Sequence, residues 1–477
     1  MSFLKKLKSY GISGILLTLV LLLTACENMP SRNKIPILRN IGNSAVDADT
    51  KPLDEDVFFT GEENLSDVSS QNIKETNSNY IRIGVLLPLT GNASKIGLAL
   101  RNAALMAQYE VALDNIILQF YDTAGTPEQA VEATKEAINH GVKLIIGPVF
   151  SASVTPVAKL ANRKGINVIT FSNDPYVVGD GVYTIGLLLN QQVEKILSYA
   201  KQNNYAKLAI IAPDNDTGLT IANSAAQVAS NAGIEVYKTS YYDPSINDFS
   251  QVVKEISDYD LRVQNLEEQK KLLEGLEDEV SKAALEKLEQ VDTLGDVEFD
   301  MILLAEGGSK LRSLASMLPY YDVLPSKVKF LGTSLWDDSS LIRESSLQGG
   351  WYTALPKEAS EAFQARYENY FKTKAPRVAS LAYDAVALAS AIARGKDDTD
   401  FSKEELTNPN GFAGIDGIFR LLPSGYSERG LAIVEINKKG SIIVEPAPDS
   451  FVPDINNDDL FIQDNENDSE IKTQIVE

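Results

Sequence analysis

The fold of this chain is decided by residues 81–111, IRIGVLLPLTGNASKIGLALRNAALMAQYEV. An apolar run of strand length, IRIGVLLPL, is followed after a short turn by LALRNAALMAQYEV, a segment with helical spacing of its apolar residues. The next segment, NIILQFYDT, is again strand-like. Short apolar strands that alternate with helices of this length predict βαβ units around a parallel sheet.

The same alternation continues along most of the chain. A helix is predicted from Pro127 to Gly141, followed by the strand VKLIIGP, the helix SASVTPVAKLANRKG and the strand INVITFS. The pattern resumes over residues 193–243 and again over residues 299–355. Two such blocks predict an α/β protein with two doubly wound, Rossmann-like lobes.

Residues 261–291 form a segment of a different kind. They are nearly all helix formers with many charges, and Gly275 and Asp278 lie near a change in the phase of the apolar spacing. We interpret residues 258–295 as a helical hairpin that projects from the second lobe; the alternative is a solvated surface excursion without a partner. The apolar positions follow a heptad-like spacing and then change phase: Leu266, Leu273, Leu276 and Val280, then Leu285, Leu288 and Val291.

The N-terminus has the layout of an export signal. Lys5, Lys6 and Lys8 precede an apolar run over residues 15–23, and small residues lead to Cys26, the one cysteine of the chain. Leu-Thr-Ala-Cys resembles the bacterial lipobox, in which a lipid is attached to the cysteine. We therefore predict that Cys26 anchors the protein to a membrane without spanning it. The alternative is an ordinary signal peptide with an incidental cysteine.

Composition divides the chain into four parts. We predict a lipoprotein signal peptide at residues 1–25, a disordered polar linker at 26–79, a globular body at 80–447 and an acidic disordered tail at 448–477. The net charge of −22, from 66 acidic and 44 basic residues, argues against nucleic acid as a partner, because phosphate contacts need a basic face. Glu27, directly after the cysteine, favours the outer membrane over the inner one.

No catalytic group, metal site or cofactor is predicted. The single histidine, His140, stands just before Gly141, where a helix-capping role is expected. The chain has no Walker loop, no Gly-x-Ser-x-Gly nucleophile motif and no His/Cys cluster. The glycine-rich stretch EGGSK, residues 306–310, is interpreted as a strand-to-helix turn.

Several of these stretches resemble a known family. IRIGVLLPLTGNASKIGLALRNAALMA, LGTSLWDD and GFAGIDGIFRLLPSGYSERGLAIVEI resemble type I periplasmic binding proteins of the leucine/isoleucine/valine-binding class. AEGGSKLRSLASMLPYYDV, the charged insertion and LTNPNGFAGIDGIFR are similar to alphaproteobacterial penicillin-binding protein activator lipoproteins, which share that fold. The resemblance implies two lobes joined by three crossovers, with a cleft that closes by a hinge. It places lobe one at 80–188 and 358–427, and lobe two at 189–355 and 428–447.

The resemblance also implies candidate cleft residues. In leucine-type proteins the ligand carboxylate meets a serine after the third strand, and a small residue and a threonine after the fourth. The matching residues here are Ser151, Ser172 and Asp174. A carboxylate at Asp174 would repel a ligand carboxylate, by about 1 kcal/mol at 4 Å in water and by more in a cleft.

The acidic residue that binds the ligand ammonium in that family matches Ser334, which carries no charge. Asp337 or Asp338 could replace it. Both anchors of an amino-acid zwitterion therefore differ from the family pattern.

A ligand with less negative charge, such as a sugar or cell-wall fragment, would need an aromatic face. The candidates for that face are Trp336, Tyr176, Tyr183 and Tyr383; the alternative is core or hinge packing, which is the more common role because aromatic side chains usually bury their area.

We therefore expect a non-enzymatic, lipid-anchored periplasmic protein that contacts a peptidoglycan synthase and regulates it as a penicillin-binding protein activator. The alternative is the solute receptor of an ABC transporter for branched-chain or other amino acids, with a small molecule in the cleft. A sensor of cell-wall fragments is a third possibility.

Overall fold

The computed structural model describes residues 80–113, 115–396 and 398–452. The predicted signal peptide, the Cys26 anchor, the linker and residues 453–477 of the predicted tail lie outside these residues. Across the described part, every helix is too short or too polar to cross a membrane.

The first half of the body is built on a five-stranded parallel sheet in the order β2-β1-β3-β4-β5. Strand β1, which pairs with β2 on one side and β3 on the other, is buried on both faces of the sheet: Ile81, Ile83 and Val85 on one face and Leu86 on the other are completely buried. A strand of this kind needs helices on both sides of the sheet. The strands are β1 Ile81–Leu87, β2 Ile116–Asp122, β3 Leu144–Ile146, β4 Asn167–Thr170 and β5 Val182–Thr184, and the connecting helices are α1 Ser94–Val111, α2 Pro127–Asn139 and α3 Ser151–Asn162.

The second sheet has seven strands in the order β15-β14-β10-β9-β8-β6-β7. Strands β6 to β10 are parallel, whereas β14 pairs antiparallel with both β10 and β15. Its strands are β6 Lys207–Pro213, β7 Glu235–Tyr242, β8 Met301–Leu304, β9 Lys329–Gly332, β10 Trp351–Ala354, β14 Ala432–Asn437 and β15 Gly440–Glu445, and its helices include α4 Leu189–Gln202, α5 Asp216–Ala232 and α6 Ser250–Ile256. One parallel and one mainly parallel sheet, each with helices, confirm the predicted α/β fold class.

The helical hairpin is also confirmed. It consists of α7 Tyr259–Glu274 and α8 Glu279–Leu288, and Asp278 begins α8 by accepting hydrogen bonds from the backbone N–H groups of Val280 and Ser281 at 3.1 and 3.0 Å. The predicted heptad seam is wrong at Leu276 and Val280, which are exposed beside the turn, and at Val291, which is also exposed. The predicted seam residue Leu266, on α7, is buried as expected.

The remaining elements return to the first sheet before the chain ends in the second. Helix α9 Gly308–Met317 precedes α10 Glu358–Phe371, α11 Ala379–Ala393 and α12 Lys403–Leu406, and a small antiparallel sheet joins β11 Phe412–Gly414, β12 Gly417–Leu421 and β13 Ser427–Arg429. Helix α11 packs along α1, and its small residues permit this close approach. The first residues of the predicted tail, 448–452, are described, and the Phe451 ring lies 4.6 Å from the Arg420 guanidinium carbon.

A buried ion pair lies where the chain crosses between the two sheets. Arg429 Nη1 is 3.8 Å from Asp384 Oδ2, and both side chains are fully buried. Arg429 Nη2 donates to the carbonyl of Ile185, in the segment from β5 to α4, at 2.7 Å. Asp384 Oδ1 accepts from the Ile415 N–H at 2.7 Å. Burial raises the pKa of Asp384 to about 7, while the Arg429 charge lowers it and the Asp416 charge raises it.

We predict that Asp384 makes the folded protein less stable as the pH rises. An acid whose pKa is raised from 3.8 to about 7 in the folded state contributes stability that is complete below the lower value and is lost as the pH passes the higher one. Asp384→Asn should flatten the dependence of the unfolding free energy between about pH 4 and about pH 7. Urea unfolding at several pH values measures this. Asp398→Asn, an exposed substitution, should keep the wild-type slope; an identical slope in Asp384→Asn would contradict the assignment.

Candidate functional site

The predicted cleft residues all follow the carboxyl ends of parallel strands. Ser151 comes after β3, Ser172 and Asp174 come after β4, and Ser334 comes after β9 of the other sheet. Ligands of open α/β sheets bind at these ends, because the loops and helix N-termini there leave polar groups available. The structure therefore distributes the four residues over the carboxyl-terminal edges of both sheets.

Ser151 is the first residue of α3. Phe150 occupies the N-cap position and provides no side-chain acceptor for the first turn, while the Ser153 N–H donates to the Phe150 carbonyl at 3.0 Å. A helix N-terminus without a side-chain cap attracts an anion, since its N–H groups lack partners and the helix dipole is positive there. The Ser151 position is therefore chemically suited to a ligand carboxylate.

Ser172 and Asp174 are brought together. Ser172 Oγ accepts from the Asp174 N–H at 3.2 Å, and Asp174 Oδ1 accepts from the Tyr176 N–H at 2.9 Å. Asp174 thus caps the 3₁₀ helix Pro175–Val177. This capping role explains why an acidic residue stands here, and its negative charge remains unfavourable for a carboxylate nearby.

Asp122, at the end of β2, is a residue that the sequence analysis did not single out. Its Oδ1 accepts from the backbone N–H groups of Leu89 and Ala124 at 2.8 Å each, and its Oδ2 accepts from Thr90 Oγ1 at 2.6 Å. Burial would raise the pKa of Asp122, but these hydrogen bonds outweigh it and lower the pKa. Asp122 therefore fixes the loop after β1 at the same sheet edge as Ser151.

On the second sheet, Ser334 and the two nearby aspartates have structural partners. The Ser334 N–H donates to the buried Gln192 Oε1 at 2.8 Å. Asp337 pairs with Lys357 Nζ at 2.7 Å, and Asp338 Oδ1 accepts from the Ser340 N–H at 2.8 Å. The charge of Asp337 is therefore balanced by Lys357, and Asp338 caps the 3₁₀ turn that follows it.

Glu306, two residues after the end of β8, is an acid that the sequence analysis did not propose for the cleft. Its Oε1 accepts from the Gly307 N–H at 3.0 Å, and its Oε2 accepts from the Tyr242 hydroxyl. Burial, together with this hydrogen bond, raises the pKa of Tyr242. A Cβ at Gly307 would lie 2.9 Å from the Leu335 carbonyl, so the loops after β8 and β9 touch. The sequence signal that could have identified Glu306 is an acid followed by two glycines at the end of a strand.

The aromatic face is wrong for three of its four residues. Trp336 is 1 % exposed and packs against two glycines, since a Cβ at Gly332 would lie 2.2 Å from its ring. Tyr183 and Tyr383 are also buried, and the Tyr383 hydroxyl donates to a glutamate of α1 at 2.9 Å. Tyr176 is 94 % exposed. Core packing therefore explains the three buried rings, as the alternative interpretation expected.

The remaining predicted features have local explanations. His140 is the C-cap residue of α2, and its Nδ1 lies 2.9 Å from the Tyr121 hydroxyl. The EGGSK stretch is the turn between β8 and α9, as predicted. Within the described ranges, no group of three or more His, Cys, Asp or Glu residues is arranged to hold a metal ion.

Comparison with known proteins gives a consistent result. The family described as periplasmic binding protein matches residues 80–441. Leu/Ile/Val-binding protein homolog 3 of Brucella melitensis is 25 % identical over 187 residues, which is 37 % of this chain and 51 % of that protein. The leucine-, isoleucine-, valine-, threonine- and alanine-binding protein of Pseudomonas aeruginosa is 27 % identical over 190 residues, 37 % of this chain and 50 % of that protein. The chain thus spans about half the length of these curated relatives.

A solved structure supports the fold. A protein from Rhodospirillum rubrum, assigned to a branched-chain amino acid ABC transporter, superimposes with a TM-score of 0.61 at 15 % sequence identity. The match covers 76 % of this chain and all of that one. At this identity, the likeness concerns the fold alone.

We predict opposite outcomes for two of the aromatic residues. Trp336→Ala should lower the unfolding free energy by about 3–5 kcal/mol, because it leaves a cavity in the core. Tyr176→Ala should change it by less than about 0.5 kcal/mol, because the ring is exposed. Urea unfolding followed by circular dichroism measures both. A loss below about 1 kcal/mol for Trp336→Ala would show that its ring is not part of the core.

Proposed function

Because the chain belongs to the periplasmic binding protein family, we propose that it is a non-enzymatic receptor that binds a small polar solute for an ABC transporter. Its relatives from Brucella melitensis and Pseudomonas aeruginosa are named for binding branched-chain amino acids. We propose the same role for this chain. It would be a periplasmic protein that is held at the membrane through a lipid on Cys26.

The observation that carries this proposal is the uncapped N-terminus of α3 at Ser151. The N–H groups at the start of this helix and the serine hydroxyl can together bind one carboxylate, in the way that helix N-termini bind anions elsewhere. Family membership supports the same role, because it concerns residues 80–441 and therefore includes this helix.

The other end of the solute is proposed to meet Glu306. This carboxylate lies beside the loop that carries Ser334 and is held by the Gly307 N–H and the Tyr242 hydroxyl. It can accept hydrogen bonds from an amine or a hydroxyl of the ligand. The proposed solute is therefore an amino acid or another small carboxylate with donor groups at its far end.

We predict that such a solute stabilises the protein against heat. A ligand at 100 times its dissociation constant adds about 2.7 kcal/mol to the unfolding free energy. Thermal unfolding of the purified chain with amino acids, hydroxy acids, sugars and muropeptides measures this. Stabilisation by muropeptides alone would instead support a cell-wall sensor, and no stabilisation by any small carboxylate would contradict the transport proposal.

Variants locate the bound solute. Ser151→Ala and Glu306→Gln should each weaken binding by about 10- to 100-fold, the effect of losing one charge-assisted hydrogen bond. The matched controls Ser313→Ala and Glu298→Gln replace exposed residues of the same types and should leave the affinity unchanged. Equal affinity for all four variants would place the solute elsewhere.

A second candidate function, contact with a peptidoglycan synthase as a penicillin-binding protein activator, is favoured by the surface of the helical hairpin. Leu272, Leu276 and Val280 are 68, 51 and 79 % exposed near its turn. Exposed aliphatic side chains grouped within a polar surface often mark a protein contact.

We predict that replacing Leu272, Leu276 and Val280 together by glutamate abolishes binding to the synthase. Because these side chains are exposed, each change should alter the unfolding free energy by less than about 0.5 kcal/mol. Co-purification of the synthase and its transpeptidase rate measure the effect. Ile443→Glu, another exposed aliphatic position, is the control. Unchanged binding and rate in the triple variant would eliminate the hairpin as the contact.

A further inference from the structure

A cavity of about 260 Å³ lies beside the segment that leads from β10 to α10. We propose that this cavity is a second binding site, which takes a small zwitterion such as a free amino acid. Ser151, Ser172, Asp174, Ser334 and Glu306 do not line it, whereas Asp337, which was considered as a replacement for Ser334, does. The residues on which the proposal rests are Asp337, Lys357, Gln364, Arg377, Ser380 and Asp416.

Two of the charges in the cavity already neutralise each other. Lys357 Nζ lies 2.7 Å from Asp337 Oδ1. This pair joins the connecting segment to the loop after β9, so it is a fixed wall of the cavity rather than a free charge of either sign.

The other two charges are available and opposite. Arg377 is exposed at the rim, and its guanidinium takes part in none of the ion pairs formed by the residues described. Asp416 is 7 % exposed, and its Oδ2 accepts from Ser380 Oγ at 2.7 Å. One hydroxyl satisfies only part of the acceptor capacity of a carboxylate, which has about four lone-pair sites.

This pair of charges selects the class of ligand. A simple anion would bind Arg377 but would meet the like charge of Asp416, and a simple cation would meet Arg377. A zwitterion places its carboxylate on Arg377 and its ammonium on Asp416, so that each charge gains a partner. Arginine is well suited to this role because its planar guanidinium can bind a carboxylate with two parallel hydrogen bonds.

The size of the cavity limits the ligand further. Its volume of about 260 Å³ is below the range of about 300–1,000 Å³ that holds drug-sized molecules. Gln364 offers an additional polar group, although its Nε2 already donates to the Ala375 carbonyl at 3.1 Å. A single amino acid therefore matches the site in size as well as in charge, whereas a muropeptide is too large.

Titration calorimetry on the purified full chain, with each common amino acid in turn, tests the proposal. Arg377→Gln and Asp416→Asn should each weaken binding of the best amino acid by about 10- to 100-fold. Ser151→Ala should leave binding at this site unchanged. Lys374→Gln, an exposed neighbour of Arg377, is the matched control. Acetate and methylammonium, which carry one charge each, should bind at least about tenfold more weakly than the amino acid.

The outcomes separate this site from the cleft. Loss of binding in Arg377→Gln with retention in Ser151→Ala supports the second site. The reverse result overturns it and supports the cleft proposal instead. Acetate binding as tightly as the amino acid overturns the zwitterion assignment, and absence of binding by every amino acid overturns the second site. Because Arg377 is exposed, its variant should retain the wild-type melting temperature, so loss of binding cannot come from unfolding.

Discussion

The buried side chains of Asp384 and Arg429 are the constraint on which the arrangement of the body depends, because Asp384 accepts a hydrogen bond from the Ile415 N–H and Arg429 donates one to the Ile185 carbonyl. Both side chains are fully buried, and the same arginine donates to Ile185, where the chain first leaves the five-stranded sheet. Removing one partner of such a pair leaves a charge in the protein interior, which typically costs about 3–5 kcal/mol. The pair therefore connects the helix that covers the first sheet with the segments that lead into the second.

The architecture could be predicted because its signals are local. Apolar runs such as Ile81–Leu87 indicate buried parallel strands, and Gly275 with Asp278 indicates the turn of the helical hairpin. The apolar seam of the hairpin could not be predicted from spacing, because burial depends on what lies opposite. Leu266 is buried, whereas Leu276 and Val280 are exposed. The ion pair was also beyond prediction, since Asp384 and Arg429 belong to distant elements and to no motif.

The positions of the candidate site residues could be predicted, but their hydrogen-bond and ion-pair partners could not. Strand ends indicated where Ser151, Asp174 and Ser334 lie, because parallel strands present their carboxyl ends at one edge. Whether a side chain is free depends on contacts that one sequence does not reveal. Asp174 is occupied as a cap, and Glu306 becomes relevant because Gly307 permits two loops to approach. The cavity near Arg377 could not be predicted for the same reason, since it is assembled from segments far apart in the chain.

The late position of β14 has a consequence for how the protein is made. Synthesis delivers the strands of the first sheet together, but β10 remains an open edge until β14, Ala432–Asn437, has left the ribosome. Helix α1 likewise lacks its packing partner until α11 has been synthesised. Contacts between such distant segments form slowly, because long loops must close first. We expect nascent and truncated chains to depend on holding chaperones, and to be cut by proteases, until the last strand pair is in place.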